Sequence, residues 1–360
     1  MKDNEIENLR TTIDDIDAQL LKLLNERAQC AIQVGQAKNK NNENASCYRP
    51  AREAAHLREL LSANLGPLPK ATVSMLFEEI ISACRALEQK LTVVFLGPSG
   101  TYTEQAVYKH FGHAVSLKSC ATIEEVFRCI ATNKAYYGVV PVENSSEGSV
   151  SNTLDHFMSN DIKIIGESEL RINHCLLTKQ SRVEDIQKVY GHSQSLAQCR
   201  NWLSAHLPDS VQINVESSSQ AIQKLNEDYP AAAIASAYAA ELYKLNIIAR
   251  DIEDSASNTT RFLILGSQFP PPSGHDKTSI LLLTRHKAGA LAHLLKILAD
   301  QNINLTRIES RPSGRVNWEY AFFLDIEGHC EQEHIKQGLA ALDKEADFYK
   351  LLGSYPCAIE

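Results

Sequence analysis

Two cations and a hydroxyl are the residues of this 360-residue sequence whose types and spacing best suit chemistry. Arg27 and Lys38 stand eleven positions apart, which in a helix, at about 100° per residue, leaves them within about 20° of one face. Two positive charges interleaved with apolar positions can hold a small anion. Arg10 lies about 100° round the axis from Arg27 and about 25 Å along it, so it joins the pair only from a second chain. In "SNTTRFLILG", Ser257 to Gly266, Thr260 and Arg261 stand just ahead of an apolar run. Strand ends commonly carry turn residues, but an open α/β sheet also presents ligand-binding groups at the mouths of its strands. There Thr260 and Arg261 would be presented to a ligand.

The elements that must position these residues fall into three blocks. From Asn4 to about Lys40, Ile6, Leu9, Ile13, Ile16, Leu20, Leu23 and Leu24 recur at three- and four-residue steps without a proline. That predicts one helix of about 55 Å, far longer than a small domain is wide. Two more helical patterns follow, from Pro50 to about Asn64 and from Lys70 to Leu91, parted by "LGPLP". Three such elongated helices enclose no core, so an intertwined homodimer is expected, with a tetramer left open.

From Leu91 the pattern alternates between strands such as "LTVVFLG" and "YYGVVPVE" and helices such as "TEQAVYKHF". This is the signature of an α/β domain; "AAAIASAYAAELYKL" reads as a helix or as a strand running into one. Three prolines in "QFPPPSGHD" force an extended connector. Beyond it the order strand, helix, strand, strand, helix, strand describes an α+β, ferredoxin-like unit. The expected boundaries are 1–91, 92–268 and 277–357.

Composition narrows the function. A net charge of -8 with no block of lysines or arginines argues against nucleic acid, which requires a concentrated basic surface. The charged N-terminus lacks the apolar stretch of a signal peptide, and no run approaches a membrane span, so a cytoplasmic protein is expected. Nine dispersed cysteines without a Cys-x-x-Cys pair point to reduced thiols and to neither a disulfide framework nor a metal site. Cys199 reads as a packing thiol, and His192 in "GHSQ" as a structural histidine.

"LRTTIDDIDAQLLKLLNERAQCAIQVGQAK" with "YRPAREAAHLREL" resembles the all-helical chorismate mutase domain. The resemblance implies that Arg10 of one subunit, with Arg27, Lys38 and Arg52 of the other, holds chorismate, and that Glu53 accepts from its ring hydroxyl. Glu88, with Cys84 one turn earlier, would complete the pocket. A glutamate donates a hydrogen bond only when protonated, so Glu88 is expected to be neutral beside the dianionic ligand.

"FLGPSGTYTEQA", "GVVPVENSSEGSV", "GHSQSLAQC" and "NTTRFLILG" together resemble prephenate dehydratase. That family implies two lobes, similar to a periplasmic binding protein, around a cleft. Thr260 would then be the donor to the departing hydroxyl, with Asn144 and Gln198 lining the site. Thr101, Ser145, Ser146 and Arg261 would serve the carboxylates. Glu143 has two readings, a proton role or a pair with Arg261. No cofactor or metal is implied.

"AGALAHLL" and "IESRPS" resemble an ACT regulatory domain. By resemblance Gly289, Ala290 and Leu291, with Glu309, Ser310, Arg311 and Pro312 and on to Ser313, bind the effector phenylalanine, usually across two subunits. The whole resembles the bifunctional chorismate mutase/prephenate dehydratases. A sensor with decayed catalysis and a dehydratase with a purely structural helical arm are the alternatives. How the linker from Asn39 to Tyr48 closes the first site is open.

Overall fold

The apolar ladder of the first forty residues forms a single helix, α1 (Lys2–Lys40), in a computed structural model that describes residues 2–40, 47–179, 182–255, 257–284, 287–312 and 319–359. Most of the linker, 41–46, and Ser313 lie outside the described residues. Helices α2 (Pro50–Ala63) and α3 (Lys70–Glu88) follow. Pro50 opens α2 at its first position, where its missing N–H has no partner to lose. The chain divides into two compact units, one of Met1–Arg49, His56–Leu91 and Phe111–Ser116, the other of Pro50–Ala55, Thr92–His110 and Leu117–Glu360.

Within the first unit, Gly35 is buried against α3, and a Cβ there would stand 2.8 Å from Glu88 Cγ. This close approach is why glycine is required. Among the described residues, the apolar stripe of α1 has no such partner. Ile6, Leu9, Ile13, Ile16, Leu20 and Leu23 are 49–60% exposed.

The second unit begins with β1 (Thr92–Leu96), α4 (Tyr102–Phe111), β2 (Ser116–Cys120), α5 (Ile123–Ala131) and β3 (Tyr137–Asn144). It continues through β4 (Gly148–Ser149), α6 (Ser151–Ser159) and β5 (Lys163–Arg171). A second lobe holds β6 (Cys175–Thr178), β7 (Lys188–His192), α7 (Ser193–Gln198), α8 (Arg200–His206), β8 (Val211–Val215) and α9 (Ser218–Glu227). It closes with β9 (Ala231–Ala235), α10 (Ala237–Tyr243) and β10 (Asn246–Ala249), in the sheet order β10-β6-β9-β7-β8. The alanine-rich stretch is therefore a buried strand running into a helix. The chain then returns to the first lobe as β11 (Thr259–Gly266), antiparallel between β3 and β5.

The last segment folds as β12 (Asp276–Leu283), α11 (Ala290–Asp300), β13 (Leu305–Pro312), β14 (Tyr320–Glu327), α12 (Glu333–Glu345) and β15 (Phe348–Pro356). Its strand order, β13-β14-β12-β15, is that of a ferredoxin-like sheet. The proline-rich connector does not isolate it. β15 pairs in parallel with β5 at Gly353 and Ile164, so among the described residues one ten-stranded sheet runs through both segments. Leu263, Ile164 and Val142 share a core with Leu281, Phe323 and Leu352. Among the described residues, no helix is long and apolar enough to cross a membrane.

At the junction, a Cβ on Gly353 would lie 2.1 Å from the carbonyl oxygen of Ile164. Gly353→Ala therefore forces β15 off β5. Its expected cost is about 1–3 kcal/mol of stability, read as a lower urea midpoint for the second unit.

Candidate functional sites

In the helical unit, Arg27 and Lys38 both reach α3. Arg27 Nη1 donates to the Ile80 carbonyl at 3.4 Å, and Lys38 Nζ meets Glu88 Oε1 at 2.5 Å. Since 27 and 38 meet 80 and 88 in the same order, α1 and α3 run parallel. Cys84 is buried one turn before Glu88. Lys38 and Glu88 are both nearly withdrawn from water, with side chains 10% and 13% exposed.

The donor role expected of Glu88 toward a ligand requires this pair to part. Arg10 lies on the exposed stretch of α1, 3.6 Å from Glu7, and does not join Arg27 and Lys38. Arg52 and Glu53 occupy the first turn of α2, Arg52 exposed and Glu53 half-buried.

The second unit gathers more of its expected residues. Thr260 and Asn144 face each other across β11 and β3, and Asn144 Nδ2 donates to Thr260 Oγ1 at 2.8 Å. The same amide lies 2.8 Å from Asn258 Oδ1. Asn258 Nδ2 donates in turn to Gln198 Oε1 at 3.0 Å, and Gln198 Oε1 lies 2.8 Å from His174 Nε2. Tyr102 Oη closes the row, 3.0 Å from His174 Nδ1 and 2.7 Å from the Asn173 carbonyl. Burial holds the His174 imidazole below its usual range and the Tyr102 phenol far above its own. A neutral ring with its proton on Nε2 donates to Gln198 Oε1, and its Nδ1 then shares the single Tyr102 hydroxyl proton with the Asn173 carbonyl.

Neither His174, Asn258 nor Tyr102 stood out as a site residue in the sequence. Asn258 lay within the stretch that drew attention to Thr260 but read as a turn residue. His192 is the N-cap of α7, its ring accepting from the Gln194 amide. Cys199 is fully buried, and burial raises its thiol far above the ordinary range.

Two expected site residues lie on the other side of the sheet. Side chains alternate along a strand, so Arg261 and its cross-strand partner Glu143 point away from Thr260 and Asn144. Arg261 is buried. Its Nε donates to Glu167 at 2.7 Å, Nη1 to Asp325 at 2.6 Å and Nη2 to the Tyr355 hydroxyl at 3.0 Å. Burial disfavours the Asp325 charge, but Arg261 beside it and the Ser279 hydroxyl prevail and hold its carboxyl below the usual range. The guanidinium is thus committed to protein partners. Glu143 pairs with Arg307 at 2.9 Å and lies 3.9 Å from Arg261, which favours the ion-pair reading over the proton role.

The hydroxyl residues differ among themselves. Ser145 Oγ donates to the Ser257 carbonyl and accepts from the Thr259 amide, locking the β3 and β11 ends together. Ser146 is exposed, its amide bound to Asn144 Oδ1. Thr101 Oγ1 reaches the Leu96 carbonyl at 3.5 Å.

At the start of α11, Gly289 takes a left-handed conformation (φ 79°) without a side-chain cap, leaving helix N-terminal amides available for a carboxylate. An open pocket of about 520 Å³ lies there, lined by Lys287, Gly289, Ala290, Leu291, Tyr320 and Phe322 among others. Glu309 and Arg311 face elsewhere. Glu309 accepts from Ser149 at 2.7 Å, and Arg311 binds Ser151 at 2.6 Å and Asp155 at 3.1 Å. Ser310 and Pro312 are exposed on the opposite face of β13.

The two-lobed second unit with its polar row is the fold of a prephenate dehydratase. Family models match residues 93–269 as prephenate dehydratase, 9–89 as chorismate mutase type II and 278–344 as an ACT domain. A prephenate dehydratase from Arthrobacter aurescens in complex with L-Phe is 33% identical with a TM-score of 0.70, covering 74% of this chain and 90% of that one. GqqA, described as a novel type of quorum-quenching acylase, is 28% identical with a TM-score of 0.68 over 74% of this chain and 98% of its own. That fold alone therefore does not fix an activity.

The full length is more specific. A bifunctional chorismate mutase/prephenate dehydratase of Stutzerimonas stutzeri is 47% identical over 99% of each chain, and the present chain belongs to that family.

Two outcomes follow from this geometry. Gly35→Ala should displace Glu88 and lower chorismate turnover by on the order of 10- to 100-fold while prephenate turnover is kept, as assayed separately on each substrate. The unfolded chain protonates His174 at about pH 6.5, whereas the folded chain does so only lower. Stability of the second unit should therefore fall as pH drops below about 6.5. His174→Gln should flatten that part of the slope, measured by thermal melts between pH 7 and pH 5.

Proposed function

We propose that the chain carries two active sites, rearranging chorismate to prephenate and then converting prephenate to phenylpyruvate, with phenylalanine as effector. The first step is pericyclic and needs no acid, base or covalent intermediate. Positioning and charge suffice. Arg27 and Lys38 hold the substrate's carboxylate and ether oxygen, and the substrate displaces Glu88 from Lys38. Arg10 comes from a second copy. The steps 6, 9, 13, 16, 20 and 23 along α1 alternate three and four, as in a helix seam that packs on another helix; their exposure in one chain supports a homodimer.

The second step is carried by the contact between Asn144 and Thr260. Because Thr260 Oγ1 accepts from Asn144, its own proton is left to point at the departing ring hydroxyl. As the bond from the ring to its carboxylate breaks, CO2 leaves and the electron pair enters the ring. The ring then expels the hydroxyl, which leaves as water, its extra proton drawn from solvent. Thr260 steadies that oxygen late in the transition state. With Oε1 engaged by His174 and Asn258, Gln198 presents its amide N–H2 to a carboxylate of prephenate. The left-handed turn at Gly289 and the relative in complex with L-Phe support phenylalanine binding at the start of α11. We assign the protein to the cytoplasm.

The test is to feed chorismate to wild type and Thr260→Ala and to follow prephenate and phenylpyruvate separately, with and without phenylalanine. Wild type should form phenylpyruvate, and less of it with phenylalanine. The variant should accumulate prephenate, its second step slowed by about 10²-fold or more. Equal phenylpyruvate formation by both would remove Thr260 from the mechanism; no turnover of chorismate would reduce the helical unit to an assembly arm.

A further inference from the structure

The residues that flank the candidate dehydratase site in sequence are those that face the ferredoxin-like segment. Asn144 and Thr260 point to the site, while their neighbours Glu143 and Arg261 point to the opposite side. The cation that meets Glu143 is Arg307, from β13 of the ferredoxin-like segment. Its Nε lies 2.9 Å from Glu143 Oε2 without the alignment of a hydrogen bond, and its Nη2 donates to Ser149 Oγ at 2.6 Å. Glu143 and Ser149 are themselves paired across β3 and β4. One guanidinium thus grips both strands of a hairpin whose turn begins with Asn144, the side chain that holds Thr260. The Arg307 side chain is only 10% exposed, while Glu143 is 38% exposed, so the arginine end of the grip is fixed in the protein and water reaches the carboxylate end.

We infer that Arg307 is a positioning residue for the dehydratase reaction, acting through Glu143 and the β3–β4 hairpin to fix Asn144 against Thr260. It touches no reacting atom. This rests on the assignment of Asn144 and Thr260 to the site proposed above. Ser149 also binds Glu309, and Arg311 on the same face of β13 binds Ser151 and Asp155 at the start of α6. Three alternate residues of one strand therefore hold one edge of the site, and Arg307 is the one that reaches Glu143.

A double-mutant cycle on the full chain tests it, using steady-state kinetics on prephenate for Arg307→Ala, Glu143→Gln and the double variant, with Arg307→Lys and Thr260→Ala alongside. Each single change in the pair should lower kcat about tenfold, within the range of coupled contacts, with KM altered less than about twofold. The double variant should be no slower than the slower single one, and Arg307→Lys should recover most of the loss. Chorismate turnover on the same chain and a thermal melt check that each variant is folded. If Arg307→Ala unfolds, Arg307→Lys and Glu143→Gln, which preserve size, still report on the pair. An unchanged kcat in folded Arg307→Ala, or losses that multiply in the double variant, would overturn the inference while leaving the site intact. Wild-type kcat in Thr260→Ala would overturn the site itself, and the role of Arg307 with it.

Discussion

The second unit is organised around a guanidinium taken out of water. A buried arginine is tolerated only when its charge and its donors are met by fixed partners, and those of Arg261 come from three strands: Glu167 on β5, Asp325 on β14 and Tyr355 on β15. Lys277 adds a second cation to Glu167, and Ser279 ties Asp325 to Tyr355. The cluster sits where the sheet passes from one segment into the next. It makes the start of β11, and hence the backbone of Thr260, part of the same rigid framework as the ferredoxin-like segment.

On the other side of that sheet the polar groups form a line. From Tyr102 through His174, Gln198, Asn258 and Asn144 to Thr260, each group orients the next. Buried polar groups are expensive when unmatched and rigid when matched, so the row specifies rotamers that a solvent-exposed site would leave free. The row thereby fixes where the Thr260 hydroxyl points.

Much of this was legible in the residues. The three- and four-step ladder announced α1, and "NTTRFLILG" announced a polar group at a strand mouth. The faces were harder. Glu143 with Asn144, and Thr260 with Arg261, are adjacent pairs, and only the period-two alternation of β3 and β11 sends their members to opposite sides of the sheet. His174 had no local signal, because what distinguishes it from His192 is burial beside Gln198 and Tyr102, residues 24 and 72 positions away. The proline run suggests a boundary, yet β5 before it and β15 after it pair in one sheet. A connector's composition reports its stiffness and says nothing of whether the flanking edges meet.

That shared sheet limits how the chain can be engineered. Where a regulatory module hangs from a flexible tether, deleting it yields a shorter catalyst free of control. Cutting this chain after β11 would instead expose the edge of β5 and strip Arg261 of Asp325 and Tyr355, leaving an under-compensated charge next to Thr260. Substitutions around Gly289 in the intact chain leave both the shared sheet and the partners of Arg261 in place.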